Sequence, residues 1–357
     1  MKSAGSSMST GRRTTGHWTG PNRTGLRTTG HWTGPDRTGH WTGPDRTGLR
    51  TIGLISRCCI FALGLIITVA HSSLADSDLD TNGLSPEKQK VLELLKSIET
   101  GSSAPFAYVN PNKYIQHNLD IAPGPAGVQA FIASLNGSAR VRTVRVFQLR
   151  NVACLQKLYP AKLKRDGDYV WAHTDYILPG WGPMIGFDIF RFENGLIVEH
   201  WDNLQTTAGP NPSDHSMTDG PTRPTDLELT DHNRGYIRKY VEEVLVGGNN
   251  NLLMSYYFGN NYIQHNPWIG DGLTGTTGLF QGVAALAKAG HAVKYTKLRQ
   301  VLAEGDFVLV TSEGLFGNQV TAYYDMMRVE HGKIAEHWDV LQPIPAREHW
   351  RNDNGKF

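Results

Sequence analysis

A stretch of nineteen residues occurs twice in this chain, at 187–205 (FDIFRFENGLIVEHWDNLQ) and at 324–342 (YDMMRVEHGKIAEHWDVLQ), with eleven positions identical. Average residue frequencies give about one or two matches by chance, so the stretch marks a duplicated structural unit. Two more blocks recur in the same order. YIQHN stands at 114–118 and at 262–266, and GDYV at 167–170 answers GDFV at 305–308. The repeats predict two homologous domains, 84–205 and 227–345, joined by a linker at 206–226 that is rich in Pro, Gly, Ser, Thr and Asp.

The duplicated stretch reads as a β-hairpin. A three-residue loop of Glu193, Asn194 and Gly195, with glycine left-handed, pairs Phe192 with Leu196, Phe190 with Val198 and Asp188 with His200. Period-two alternation then puts Asp188, Phe190, Phe192, Leu196, Val198, His200 and Asp202 on one face, and Ile189, Arg191, Ile197, Glu199 and Trp201 on the other. A two-residue Asn194-Gly195 turn would instead bring Asp188 against Trp201. The first register is preferred, because the second copy, with Glu330, His331 and Gly332 as its loop, sorts Asp325, Met327, Val329, Ala335, His337 and Asp339 onto one face in the same way. An apolar face ending in two carboxylates and an imidazole describes a pocket wall. The plainer alternative is a strand end with solvated side chains.

The opposite faces carry Ile189, Ile197 and Trp201 in one copy and Met326, Ile334 and Trp338 in the other, too apolar a pair of patches to leave in water. Arg191 with Glu199, and Arg328 with Glu336, would neutralise each other across each hairpin. These faces are expected to cover one another within the chain, the linker favouring a monomeric pseudodimer over association of two chains.

Charge excludes one class of partner. Residues 1–57 hold nine Lys or Arg against two Asp, so the whole-chain net of +2 leaves the remainder at −5, without a basic face suited to nucleic acid. Residues 1–53 repeat HWTGPNRTG and HWTGPDRTG, a composition that cannot bury enough surface to order itself. The run CCIFALGLIITVA at 58–70 is uncharged and thirteen residues long, which suits a signal-peptide core better than a membrane span of about twenty. Residues 54–75 are therefore expected to act as a signal peptide, or as a signal anchor holding the protein at a membrane, and residues 76–357 to enter the secretory pathway. Cys154 alone follows that segment, so no disulfide framework is available. Asn136-Gly137-Ser138 is a glycosylation acceptor pattern of the kind chance supplies.

Element order completes the reading. Ser85 and Pro86 open a helix with Val91, Leu94, Leu95 and Ile98 on one stripe; Asp231 is the corresponding cap of a helix carrying Ile237, Tyr240, Val241, Val244 and Leu245. Each copy continues with YIQHN, a second helix and a run of strands, an α+β layout. The first copy holds an insertion at 149–165 with five basic residues and no acidic one, read as a hairpin-tip insertion or as a loop that docks an acidic surface.

Helix, YIQHN, helix, then strands ending in D-x-x-R-x-x-x-G-x-I-x-E-H-W-D resembles the SnoaL-like proteins, within the superfamily shared by nuclear transport factor 2 and ketosteroid isomerase. The resemblance implies two cone-shaped, curved antiparallel sheets wrapped against helices around apolar cavities. It also implies a cofactor-free lyase, isomerase or polyketide-type cyclase, with no metal, acting on a small apolar carbonyl compound. Its acid/base aspartate falls on Asp339, and on Asp202 in the first copy. Asp188 and Asp325 map to a position where the cyclases carry His, which weakens any transfer of substrate.

A desolvated Asp gains basicity suited to taking a proton from carbon beside a carbonyl. His200 or His337 would then donate to the enolate oxygen, with Tyr114, His117 and Asn118, or Tyr262, His265 and Asn266, binding substrate. His117 and Asn118 could instead cap the following loop, and Trp201 and Trp338 are expected to pack. The other functional classes are a secreted apolar-ligand carrier and an association scaffold, and the fold alone does not separate the three.

Overall fold

The computed structural model describes residues 79–149 and 168–357. The N-terminal repeats, the hydrophobic run and nearly all of the insertion lie outside the described residues. Among the described residues no helix is long and apolar enough to cross a membrane.

The first copy opens with α1 (Pro86–Thr100), where the Ser85 Oγ accepts the Lys88 N–H at 3.3 Å and Pro86 sits where no N–H partner is required. Its buried stripe includes Val91, Leu94 and Leu95. Then come β1 (Ile115–Gln116), α2 (Gly124–Ser134), β2 (Arg140–Leu149), β3 (Asp168–Leu178), β4 (Gly182–Glu193) and β5 (Leu196–Thr206). The second copy repeats this as α3 (Thr230–Tyr240), β6 (Ile263–Gln264), α4 (Leu279–Lys288), β7 (Val293–Glu304), β8 (Phe307–Phe316), β9 (Gln319–Glu330) and β10 (Lys333–Pro343). Asp231 is not the cap expected of it. It lies within the first turn of α3 and pairs with Arg234, while Leu229 holds the cap position.

Each copy forms a five-stranded sheet, in the order β1-β5-β4-β3-β2 and β6-β10-β9-β8-β7. The sheets are mixed rather than wholly antiparallel, because the short strand of YIQHN runs parallel to the last strand, with Gln116 opposite His200 and Gln264 opposite His337.

The central hairpin corrects both expected registers. Its turn is the two-residue Asn194-Gly195, both left-handed at φ 50° and 76°, and Glu193 pairs with Leu196. Val198 is then left unpaired as a bulge, since Phe192 faces Ile197 while Arg191 faces Glu199. The extra residue restores the parity beyond it. Asp188 stands opposite Asp202 and Phe190 opposite His200, so these four share the pocket face as expected, whereas Leu196, expected there, pairs with Glu193 on the other face and Ile197 takes its place opposite Phe192. The second copy does likewise, with a His331-Gly332 turn, Ala335 bulged and Asp325 opposite Asp339. The same bulges turn Ile197 and Ile334 inward, into the cores beneath α1 and α3 rather than onto the outer faces expected for them.

Those outer faces form a shared third core. Trp171, Ile189 and Trp201 pack with Leu309, Met326 and Trp338, and the indoles are buried on both sides. Glutamines cross the seam reciprocally: the Leu341 N–H donates to Gln205 at 2.8 Å and the Leu204 N–H to Gln342 at 3.2 Å.

The expected linker is a strap rather than a free tether. Met217 enters the seam core, and carbonyls of Thr218 and Pro221 accept from the buried Arg145 guanidinium at 3.0 and 2.8 Å. Asn211 in this strap donates to carbonyls of Gln264 and Ile269 in the second copy, at 2.5 and 3.0 Å. The C-terminal tail does the same in reverse. Asn352 donates to Asn118 and Ile121 of the first copy, at 2.7 and 3.0 Å. Each copy thus closes the YIQHN loop of the other.

Candidate functional site

The first sheet and its helices enclose a cavity of about 470 Å³. Leu94, Phe131 and Leu178 give it apolar walls, and Tyr114, Gln116, Asn118, Asp188, His200 and Asp202 supply its polar groups. Alternation decides which part of YIQHN reaches it. Tyr114, Gln116 and Asn118 point in, so His117 points out.

Gln116 organises the polar set. Its Nε2 donates to the Tyr114 hydroxyl at 3.1 Å, and its Oε1 accepts the Asn118 N–H at 2.9 Å and faces His200 Nδ1 at 3.0 Å. With Oε1 fixed as acceptor, Nδ1 must carry a hydrogen. His200 Nε2 then meets Asp188 Oδ1 at 3.3 Å, a contact that is favourable when a proton lies between them. Asp188 Oδ2 accepts the Tyr176 hydroxyl at 2.5 Å. Burial pushes the Asp188 carboxyl above the usual range, against the opposing pull of the His200 hydrogen bond.

The second copy repeats the arrangement. His337 lies 2.9 Å from Gln264 Oε1 and 3.1 Å from Asp325 Oδ1, and Gln264 donates to the Tyr262 hydroxyl at 2.8 Å. Burial works against charge on His337, yet its bond to Asp325 and the charges of Asp339 and Asp325 raise its pKa.

Asp202 and Asp339, at matching positions, each keep one oxygen outside the hydrogen bonding, as does Asp325 through Oδ2. Asn118 donates to Asp202 Oδ2 at 2.6 Å and Asn266 to Asp339 Oδ2 at 2.8 Å. The other oxygen, Oδ1, is buried in both and has no hydrogen-bond partner. Although part of the Asp339 side chain reaches solvent, burial lifts its carboxyl to about 6, opposed by the charge of His337. The first copy differs through Lys356. This buried ammonium, held by the Asp202 carbonyl at 2.8 Å and Gln342 at 2.6 Å, lies 3.7 Å from Asp202 Oδ1.

The copies also differ in filling. The helix stripe has Leu94 in α1 and Tyr240 in α3, and the bridge to the last strand is made by Val109 in one and Tyr257 in the other. Position 186 is Gly where the second copy has Tyr323. The Tyr240 and Tyr257 hydroxyls bond at 2.7 Å, so aromatic side chains occupy the second core where the first is lined by smaller groups.

His117 and His265, expected to bind substrate, belong to the seam instead. Each stacks on a tryptophan, His117 on Trp201 at 4.8 Å and His265 on Trp338 at 4.6 Å. Each also bridges a carboxylate and the other copy's strap: His117 lies 2.9 Å from both Glu199 Oε1 and the Gly355 carbonyl, and His265 lies 2.9 Å from Glu336 Oε1 and 2.8 Å from the Ser216 carbonyl. Glu199 and Glu336 accept from Arg191 and Arg328, as expected.

Gln116, Gln264, Tyr176, Tyr295 and Lys356 were not singled out by sequence. The alternation that excludes His117 could have found Gln116 and Gln264. Lys356 lies outside the repeats and offered no signal.

Among the described residues, three groups bring their ligand atoms within 4.8 Å of one another, as a cation site would require: Asp188, His200 and Asp202; Asp325, His337 and Asp339; and His215, Asp219 and His265. In the first two, one histidine nitrogen faces a glutamine oxygen and the other a carboxylate.

No family model matches the chain, and neither does any curated protein. Solved structures do. A candidate ketosteroid isomerase from Kribbella flavida is 18% identical over 34% of this chain and 88% of its own, with a TM-score of 0.25. A candidate polyketide cyclase from Acidithiobacillus ferrooxidans is 16% identical over 33% and 90%, with a TM-score of 0.25. A protein of unknown function with a cystatin-like fold, from Xanthomonas campestris, is 20% identical over 30% and 89%, with a TM-score of 0.26. Scores this low carry nothing about the chemistry, which has to come from the residues of the site.

Proposed function

We propose that the first cavity binds a small apolar carbonyl compound and moves a proton on it without a cofactor, as an isomerase or cyclase does. The observation that carries this reading is Asp202 Oδ1, which is buried in the wall of an apolar cavity and accepts no hydrogen bond. A carboxylate oxygen left without a hydrogen bond is costly to bury, and a role as general base supplies a reason to keep it. The developing enolate oxygen needs a donor. His200 has both nitrogens engaged, and Tyr114 can supply it: its oxygen accepts from Gln116, and among the described residues no acceptor takes its own hydrogen. Burial, with the charges of Asp202 and Asp188, raises the phenol's pKa and keeps that hydrogen in place. Asp188, His200 and Gln116 position the pair.

The test is exchange of α-hydrogens of methyl octyl ketone in deuterated water, followed by NMR. The wild type should exchange above the buffer rate, and Asp202→Asn should lower exchange at least about tenfold. Exchange no faster than buffer would sink the reading.

A second reading, a carrier that binds such a compound without chemistry, draws on Lys356, whose ammonium lies 3.7 Å from Asp202 Oδ1 and gives that oxygen an ion-pair partner. Tight ketone binding with no exchange would establish it.

A further inference from the structure

We propose that the ligand of the first cavity also carries an anionic group, and that Arg351, delivered by the tail of the second copy, receives it where the cavity meets solvent. This rests on the reading of that cavity as a carbonyl-compound site. Among the described residues that line the cavity, Arg351 is the one lysine or arginine, and it is exposed. Its backbone is fixed. The Arg351 N–H donates to the Leu119 carbonyl at 2.8 Å, Asn352 clamps the carbonyls of Asn118 and Ile121, and Asn354 donates to the Gln116 carbonyl at 2.8 Å. The tail that presents the guanidinium is therefore built onto the loop that carries Gln116 and Asn118.

The guanidinium itself is uncommitted. Asp120 also lines the cavity, yet among the described residues no carboxylate lies within ion-pair distance of Arg351. The second copy has nothing comparable: Asn211 makes the clamp that Asn352 makes, and the residue before it is Pro210. The cation thus accompanies the cavity of the first copy and not the aromatic-filled core of the second.

Charge then sets orientation. Deeper in the cavity stand Asp188 and Asp202, the latter already beside the Lys356 ammonium, whereas no carboxylate opposes Arg351 at the mouth, so a keto acid is favoured with its carboxylate outward on Arg351 and its apolar body and carbonyl inward. A neutral ketone has no such preference. The fork of donors on arginine suits a carboxylate, which makes an apolar keto acid the ligand class.

The full chain is titrated calorimetrically with oxodecanoic acid bearing its ketone on the penultimate carbon, and with the methyl ester of that acid. The acid should bind about fivefold or more tightly than the ester, and the margin should shrink as salt rises. Arg351→Gln should erase the margin while ester affinity and thermal midpoint stay put, and Arg351→Lys should restore part of it. Equal binding of acid and ester by the wild type, or a margin that survives Arg351→Gln, overturns the proposal and leaves the carbonyl site standing. Failure of both probes to bind overturns the two together.

Discussion

Tyr176 and Tyr295 occupy different strands of their copies, yet each donates its hydroxyl to the same aspartate, to Asp188 at 2.5 Å in the first and to Asp325 at 3.0 Å in the second. The exchange is made across one registered pair. Val141 faces Tyr176 in the first sheet, and Tyr295 faces Gly314 in the second. A side chain at Gly314 would strike the Lys294 carbonyl, its Cβ 2.1 Å from that oxygen, so the ring is accommodated only from the neighbouring strand. Retaining a donor while moving its origin indicates that the buried aspartate requires one. Tyr176→Phe should cost about 1–3 kcal/mol, the range for leaving a buried acceptor short of a donor, read as a lowered urea midpoint.

The Asp339 carboxyl, pushed up to about 6 by burial, gives a pH-dependent cost. Its folded value exceeds the unfolded value of 3.8, so the native state holds the extra proton between about pH 4 and 6 and loses stability as pH rises through that window. Asp339→Asn cannot lose that proton. The variant should therefore match the wild type near pH 4 and exceed it by about 1–3 kcal/mol at pH 7, checked by urea unfolding at both values. A variant less stable at pH 7 would mean that Asp339 is structural.

Lys356 anchors the tail in the first site, its buried ammonium donating to the Asp202 carbonyl at 2.8 Å and to Gln342 at 2.6 Å. Lys356→Met keeps the apolar stem and removes both donations, so it should cost about 1–3 kcal/mol, the range for leaving buried acceptors short of a donor, read as a lowered urea midpoint. Lys356→Arg should lose less, because a cationic donor is retained. A Lys356→Met variant as stable as the wild type would mean that the ammonium does not hold the tail.

Much of this was legible because the chain states it twice. The duplicated hairpin carried the α+β layout, the sorting of Asp188, His200 and Asp202 onto one face, and the apolar seam. What escaped notice had no local mark. A bulge at Val198 adds one residue without disturbing the alternation on either side, so Asp188, Phe190, His200 and Asp202 came out on the pocket face while the pairing and the placement of Leu196 and Ile197, on the turn side of the bulge, did not. His117 attracted attention as chemistry, yet the strand period turns it to the seam and turns Gln116, a residue with no titratable group, into the centre of the site. Arg351 and Lys356 come from a tail folded onto the other copy, a long-range placement that repeats of local sequence do not encode.

The seam yields the last prediction, because its two tryptophans are not equivalent. The indole N–H of Trp338 donates to the Asp219 carbonyl at 3.0 Å, its ring stacks on His265, and the Arg145 guanidinium of the first copy lies 4.6 Å from its centroid. Trp201 stacks on His117 at 4.8 Å, but its N–H has no acceptor. Trp338 thus ties its own sheet to the strap and to the other copy's Arg145, whereas Trp201 contributes packing. Trp338→Phe should cost about 1 kcal/mol more than Trp201→Phe, the value of a lost hydrogen bond. Trp338→Asp places a carboxylate in the shared core, with Arg145 engaged by backbone carbonyls of the strap, and should lower both halves together by about 3–5 kcal/mol. Calorimetry of the wild type should show one transition for the two sheets, moved as a whole by the mutation. Two wild-type transitions, of which Trp338→Asp shifts only one, would mean that the halves fold without the seam that joins them.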